Sequence, residues 1–247
     1  MMRTLVVVPT YNEAESIRSI IARIRAAVPS ADVLIVDDGS PDGTGGIADA
    51  LASADTHVSV LHRARKEGLG AAYLQGFARA IDQGYAAVVE IDADGSHDPA
   101  ELPAMLTLLE SGPADLVIGS RWVDGGSVVN WPGPRRAISR SGNRYARWML
   151  RSRIHDLTAG YRAYRTSALR GLDRAVVSSQ GYCFQVELAW RVEAAGGVVL
   201  EHPIAFVERE TGRSKMHAGI VTEALARVTW WGVSARLGRG PVRSTAR

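Results

Sequence analysis

Residues 5–40 read LVVVPTYNEAESIRSIIARIRAAVPSADVLIVDDGS, and the order of patterns inside this stretch decides the fold. Leu5-Val-Val-Val8 and Val33-Leu-Ile-Val36 are apolar runs without alternation, the mark of strands covered on both faces. Between them Ile17, Ile20, Ile21, Ile24 and Val28 share one stripe of an amphipathic helix, and Asn12 with Glu15 is spaced as a capping box at its start. Further apolar runs follow at Val58–Leu61, Ala86–Ile91 and Leu116–Ile118, and a second helix is expected after Asp98, with Pro99 first and Glu101 completing a box. Repeated strand–helix–strand units imply an α/β chain whose mostly parallel, doubly wound central sheet is flanked by helices.

Composition narrows the class. With 46% apolar and 22% charged residues in 247, the chain is no disordered polymer. The single cysteine, Cys183, excludes a disulfide framework and a Cys-based zinc cluster, and reads as a small buried hydrophobe. The net charge is +3, and the 29 basic residues include only two lysines, Lys66 and Lys215. The most apolar long segment, Ala218–Leu237, carries Glu223, Arg227 and Arg236 and does not read as a membrane span. No basic-then-apolar leader precedes the first strand, so a cytoplasmic location is expected. The tail from Gly238, rich in Gly, Arg, Ser and Pro, is expected to fray.

Open α/β sheets bind ligands beyond the carboxyl ends of their strands. Polar clusters fall at those ends: Pro9-Thr-Tyr-Asn-Glu13, Asp37-Asp-Gly-Ser40, Asp92-Ala-Asp-Gly-Ser-His97 and Gly119-Ser-Arg121. Asp92 and Asp94, just past a strand, can serve one divalent cation together with its phosphate ligand, since Mg²⁺ and Mn²⁺ take oxygen donors. The plainer alternative is a solvated turn. Asp37 and Asp38 either cap a helix or accept hydrogen bonds from a nucleotide. Gly39, Gly43, Gly45 and Gly46 lack the dinucleotide fingerprint spacing, which weighs against a dehydrogenase.

These motifs resemble family-2 glycosyltransferases of the GT-A fold. Gly119-Ser-Arg121, Ile138-Ser-Arg140, Asp156-Leu-Thr158, Gly181-Tyr182, Phe184-Gln185, Glu187, Gly212 and Ser214-Lys215 narrow the resemblance to the polyprenol-phosphate (dolichol-phosphate) mannosyltransferases, in the same order from residue 4 to residue 217. The resemblance implies a catalytic domain over 1–217 and a C-terminal amphipathic helix with a basic tail over 218–247. It implies transfer of mannose from GDP-mannose to a polyprenyl phosphate, with Mg²⁺ or Mn²⁺ as cofactor. By the same resemblance Pro9, Tyr11, Glu13, Val36 and Asp38 hold the guanosine end. Asp92, Ala93, Asp94 and Ser96 serve the metal, the diphosphate and the sugar, with Asp92, Asp94 and Ser96 as metal ligands. Arg209 and Lys215 close over the donor phosphates, and Arg121, Arg135 and Ser139 receive the acceptor phosphate. Gly95 and Arg213 depart from the family, which bears on fine donor preference.

The acceptor sets the chemistry. A sugar hydroxyl needs a general base, whereas a phosphate monoester, with its second pKa near 6, is already a dianion at neutral pH. The expectation is one in-line displacement with inversion and no obligatory side-chain base; Asp156 and Glu187 are the base candidates under the rival view, and the plainer reading is that they organise arginines. A UDP-glucose-dependent glucosyltransferase is the nearest rival, and an inactive lipid-binding or nucleic-acid-binding protein the rival from another class. Acidic pairs repel a nucleic-acid backbone, so no nucleic-acid partner is expected.

Arg136, Arg140, Arg144, Arg147 and Arg151 recur at helical spacing, and no acidic residue interrupts 135–153. Either the face is merely solvated or it lies on an anionic membrane surface, and the helix over Gly219–Leu237 with Trp230-Trp231 either joins it there or packs on the core. Peripheral attachment also leaves room for a membrane-protein partner. His97 is expected in a turn or cap, and His217 in a loop.

Overall fold

A computed structural model describes residues 2–172, 182–208 and 218–238 of the chain. The elements run β1 (Thr4–Thr10), α1 (Ile17–Ala27), β2 (Asp32–Asp37), α2 (Thr44–Ala54), β3 (Val58–His62), α3 (Leu69–Asp82), β4 (Ala87–Glu90), α4 (Leu102–Ser111) and β5 (Leu116–Ser120). They continue β6 (Ser127–Val129), α5 (Gly133–Leu150), β7 (Arg162–Arg165), α6 (Thr166–Arg170), α7 (Tyr182–Ala194), β8 (Val199–Pro203), β9 (Ala205–Val207) and α8 (Ala218–Arg236). Among the described residues the main sheet has seven strands in the order β3-β2-β1-β4-β7-β5-β8. All of its pairings are parallel except those of β7, which runs antiparallel to both β4 and β5.

The unalternating runs lie between two apolar layers. Leu5 and Val7 face a cluster with Tyr73 and Phe77 of α3, while Val6 and Val8 face the isoleucines of α1. A buried branched side chain contributes roughly 1.5–3 kcal/mol, so each run anchors both layers. Gly76 lets α3 approach closely: a Cβ there would stand 2.6 Å from Val7 Cγ1. That approach seats Tyr73, nearly one turn earlier on the same helix, beneath the carboxyl end of the sheet.

Two expected helix starts are corrected. Asn12 and Glu15 form no capping box: α1 begins at Ile17, and Asn12 sits at φ 59°. Side chains of the neighbouring turn capture this segment instead, through Ser40 Oγ to Asn12 N (3.0 Å), Thr44 Oγ1 to Glu13 N (2.9 Å) and Asp42 to Ala14 N (3.0 Å). After Asp98 the chain first makes a 3₁₀ turn, Pro99–Glu101, capped by Asp98 on Ala100 N at 2.9 Å. The Glu101 carboxylate pairs with His202 at 2.8 Å rather than completing a box.

Helix α8 packs on α5, with Tyr145 Oη and Thr229 Oγ1 2.5 Å apart, and Trp231 stacks on Trp190 of α7. Cys183 is free and buried. Among the described residues no helix is long and apolar enough to cross a membrane.

Candidate active site

Strands β1, β2, β4 and β5 all end at one edge of the sheet, and the polar clusters gather there. Beyond β4 the chain turns sharply through Gly95, at φ 75°, and Asp94 Oδ1 accepts the Ser96 N–H at 3.0 Å. Tyr73 Oη donates to Asp92 Oδ1 at 3.2 Å. His97 lies on the bend expected of it but caps nothing: it is buried between the rings of Tyr161 and Phe206, with Nε2 4.0 Å from Asp92 Oδ2. Burial pushes its pKa down to about 4, against the pull of Asp94. Ser96 Oγ and His97 Nδ1 are both buried without a hydrogen-bond partner in the protein. Two carboxylates and an unsatisfied buried hydroxyl on one turn suit a hard divalent cation. Among the described residues no cluster of three or more His, Cys, Asp or Glu could cage a metal alone, so other oxygen donors would come from substrate or water.

On the β2 side the two aspartates divide their work. Asp37 accepts from Thr10 Oγ1 (3.0 Å) and Ser40 Oγ (2.6 Å) and so builds the turn. Asp38 pairs with the buried Arg63 at 2.6 Å; burial raises its pKa while Arg63 pulls it down. Lys66 Nζ stands 4.0 Å over the ring of Tyr11. Pro9 and Glu13 are half-buried, whereas the Val36 side chain is sealed in the core and Ala93 is buried.

On the other side Arg121 is gripped by Asp156 through Nε and Nη2, both at 2.7 Å, and Nη2 also reaches Thr158 Oγ1 at 2.9 Å. Asp156 is 0% exposed. Burial opposes its ionisation, but the charge and hydrogen bonds of Arg121 outweigh it and hold the carboxyl below its ordinary range. Asn143 of α5 closes the network on Thr158 at 3.0 Å and also bonds the carbonyl of Ser139 at 3.1 Å. Arg135 lies 4.2 Å over Trp131 and is paired with Glu208. Arg140 lies 4.7 Å over Trp122, and Arg121 5.5 Å from the ring of Phe206. Because Phe206 also touches His97, the aspartate turn and the arginine cluster border one another. Glu187 pairs with Arg191 at 2.6 Å and so also organises an arginine.

Sequence patterns pointed neither to Tyr73 nor to the buried pair beneath the site. Glu90 and Arg162 are cross-strand partners on β4 and β7, both fully buried. Arg162 donates to the carbonyls of Leu157, Ala159 and Gln185 at 2.8, 2.8 and 2.5 Å, fixing the loop that carries Asp156 and Thr158. Burial drives Glu90 up to about 8 although Arg162 favours its ionised form. A glutamate inside the apolar run Ala86–Ile91 was the available signal. The expected donor-closing pair Arg209 and Lys215 lies outside the described residues, as do Gly181, Gly212, Arg213, Ser214 and His217.

The chain matches the profile "Glycosyl transferase family 2" over residues 5–172. It is 52% identical over 244 residues to the polyprenol monophosphomannose synthase of Mycolicibacterium smegmatis, spanning 98% of this chain and 92% of the relative. It is 53% identical over 235 residues to the undecaprenyl-phosphate mannosyltransferase of Micrococcus luteus, spanning 95% and 96%. Among solved structures, a mannosyltransferase from Pyrobaculum calidifontis in complex with GDP-Man and Mn²⁺ superposes with TM-score 0.62 at 18% identity, over 97% of this chain and 65% of that one. A glucosyl-3-phosphoglycerate synthase from Mycobacterium tuberculosis, with Mn²⁺, UDP and phosphoglyceric acid, superposes with TM-score 0.65 at 20% identity, over 99% and 80%. The architecture is thus the GT-A-like α/β fold, and the chain belongs to glycosyl transferase family 2.

Proposed function

We propose that this chain is an inverting mannosyltransferase that moves mannose from GDP-mannose to the phosphate of a polyprenyl monophosphate. The observation that carries the reading is the meeting of an aspartate turn with an aromatic-backed arginine cluster at one sheet edge, joined through His97 and Phe206. The names and near-full-length similarity of the two relatives support it. In this reading Pro9, Tyr11, Glu13 and Asp38 hold the guanosine end, Val36, whose side chain is sealed in the core, offers it only backbone, and Ala93 lines the donor at the turn. Asp92, Asp94 and Ser96 would hold one Mg²⁺ or Mn²⁺, which when bound offsets charge on the leaving diphosphate. Arg209 and Lys215 close over the donor phosphates. Arg121, Arg135 and Ser139 orient the acceptor phosphate, which arrives as a dianion and needs no side-chain base. An incoming phosphate competes with Glu208 for Arg135.

Product mass is the direct test. Incubation with a short polyprenyl phosphate and either GDP-mannose or UDP-glucose should give the mannosylated lipid phosphate from the first donor, at least about tenfold faster than any glucosylated product from the second. Preferential use of UDP-glucose would overturn the donor assignment.

The same reading places the protein peripherally at the cytoplasmic face of a membrane. Arg136, Arg140 and Arg144 are exposed on α5 beside Ile138 and Trp148, the latter 68% exposed, while α8 presents Trp230 at 70% and Leu237 is exposed just past its end. Apolar side chains interleaved with arginines suit an anionic interface, and a membrane-protein partner would meet the same face. Replacing Trp148 and Trp230 by serine should weaken binding to vesicles containing phosphatidylglycerol by about tenfold or more. Turnover of a short, soluble acceptor should stay within twofold. Unchanged vesicle binding would leave these tryptophans no part in docking.

A further inference from the structure

The hydroxyl of Tyr73 is an unusual group to place beneath this site. The ring is fully buried and stacked against Phe77 and Phe184, with centroids 6.2 and 6.3 Å away. A buried tyrosine hydroxyl needs a hydrogen-bond partner, and here Oη donates to Asp92 Oδ1 at 3.2 Å. The loop at Gly160 lies on the other side of Asp92. Gly160 packs so near that a Cβ there would lie 3.4 Å from Asp92 Oδ2, 3.6 Å from His97 Nε2 and 3.0 Å from Gln185 Nε2. The carboxylate is therefore set between a helix hydroxyl and a loop backbone, and its side chain remains 33% exposed toward the site.

We infer that Tyr73 is a positioning residue for the divalent-cation site: its hydroxyl fixes the rotamer of Asp92 and engages one of the two carboxylate oxygens. The inference rests on the proposed role of Asp92 and Asp94 as ligands. Outer-layer hydrogen-bond partners of metal ligands typically govern 10–100-fold in affinity or activity, because they orient the ligand before the ion arrives. The geometry that places the group is local to α3. Gly76 brings the helix against β1, and Phe77 and Phe184 fix the plane of the tyrosine ring, so the hydroxyl has little freedom to turn away from Asp92.

The test is Mn²⁺ affinity, read from the paramagnetic resonance signal of free Mn²⁺ in the presence of GDP. Tyr73→Phe keeps the ring and removes only the hydroxyl. Its Kd for Mn²⁺ should rise about tenfold relative to the unsubstituted protein. Tyr85→Phe is the matched control, because it deletes another tyrosine–aspartate bond, Tyr85 Oη to Asp32 at 2.7 Å, at the opposite end of the sheet. It should leave the Kd within twofold. An unchanged Kd in Tyr73→Phe, or an equal rise in Tyr85→Phe, overturns the inference. In the Asp92→Ala background, where the acceptor oxygen is gone, Tyr73→Phe should have no further effect, and an undiminished effect there would mean that Tyr73 acts by another route. Asp94→Ala separates the two levels: if it binds Mn²⁺ as tightly as the unsubstituted protein, the carboxylate pair is not the ion site. If it loses affinity while Tyr73→Phe does not, only the inference about Tyr73 fails.

Discussion

Asp94→Ala should lower kcat by at least about 10³-fold while leaving the melting temperature within about 2 °C of the parent. Removing one preorganised group that stabilises developing charge typically costs 10²–10³-fold, and loss of a metal ligand takes the Lewis acid with it. The fold does not depend on this carboxylate in the same degree, because the Ser96 N–H that it accepts at 3.0 Å belongs to its own turn. Asp94→Asn should fall between the two, since an amide oxygen can still accept that bond but carries no charge. Steady-state assays across an Mn²⁺ titration read the result. Retention of a tenth or more of the parent activity in Asp94→Ala, with EDTA present, would remove the metal from the account.

Asp156→Ala is expected to destabilise the protein by about 3–5 kcal/mol, the usual cost of stripping one partner from a buried ion pair and leaving the other charge unpaired. For a chain of this size that is a fall of about 6–20 °C in Tm. Arg121 loses both carboxylate contacts at once, and its backbone N–H loses a third at 3.0 Å. The sign with pH follows from the lowered pKa. The contribution is fully present above the unfolded-state value of about 3.9 and fades as pH falls through the folded value. The parent should therefore lose stability in acid over a window that Asp156→Asn no longer shows. Denaturant melts between pH 6 and pH 3 measure the difference, and parallel acid limbs in the two proteins would contradict it.

Much of the framework was legible because strong periodic signals lie where backbone and packing agree. Leu5–Val8 and Val33–Val36 are strands, the Ile17–Ile24 stripe is buried, and Arg136, Arg140, Arg144 and Arg147 do lie on one helix, whereas Arg151 stands past its end at φ 53° and leaves the stripe. Asp92 and Asp94 stand just past a central strand, where their spacing in the sequence put them. What local pattern does not carry is tertiary. Strand β7 has only four residues, two of them arginine, and nothing in Arg162-Ala-Tyr-Arg165 signals a central antiparallel strand. Its place depends on Glu90 across the sheet and on carbonyls from two other segments. The supposed capping box at Asn12 failed for a related reason: three side chains from the next rim loop outcompeted the helix for those backbone N–H groups. The burial of His97 is not legible either, because adjacency to Ser96 and Asp98 says nothing of the rings of Tyr161 and Phe206.

The chain's lone thiol gives the molecule a practical property. Cys183 is 2% exposed, and burial drives its pKa up to about 11, so at neutral pH almost no thiolate forms and little of it meets solvent. Alkylating reagents should pass it by, and air should not couple two copies through it. A cysteine engineered on the outward face of α5 or α8 can therefore carry a spin label or fluorophore in an otherwise native background, with no need to remove the resident sulfur first.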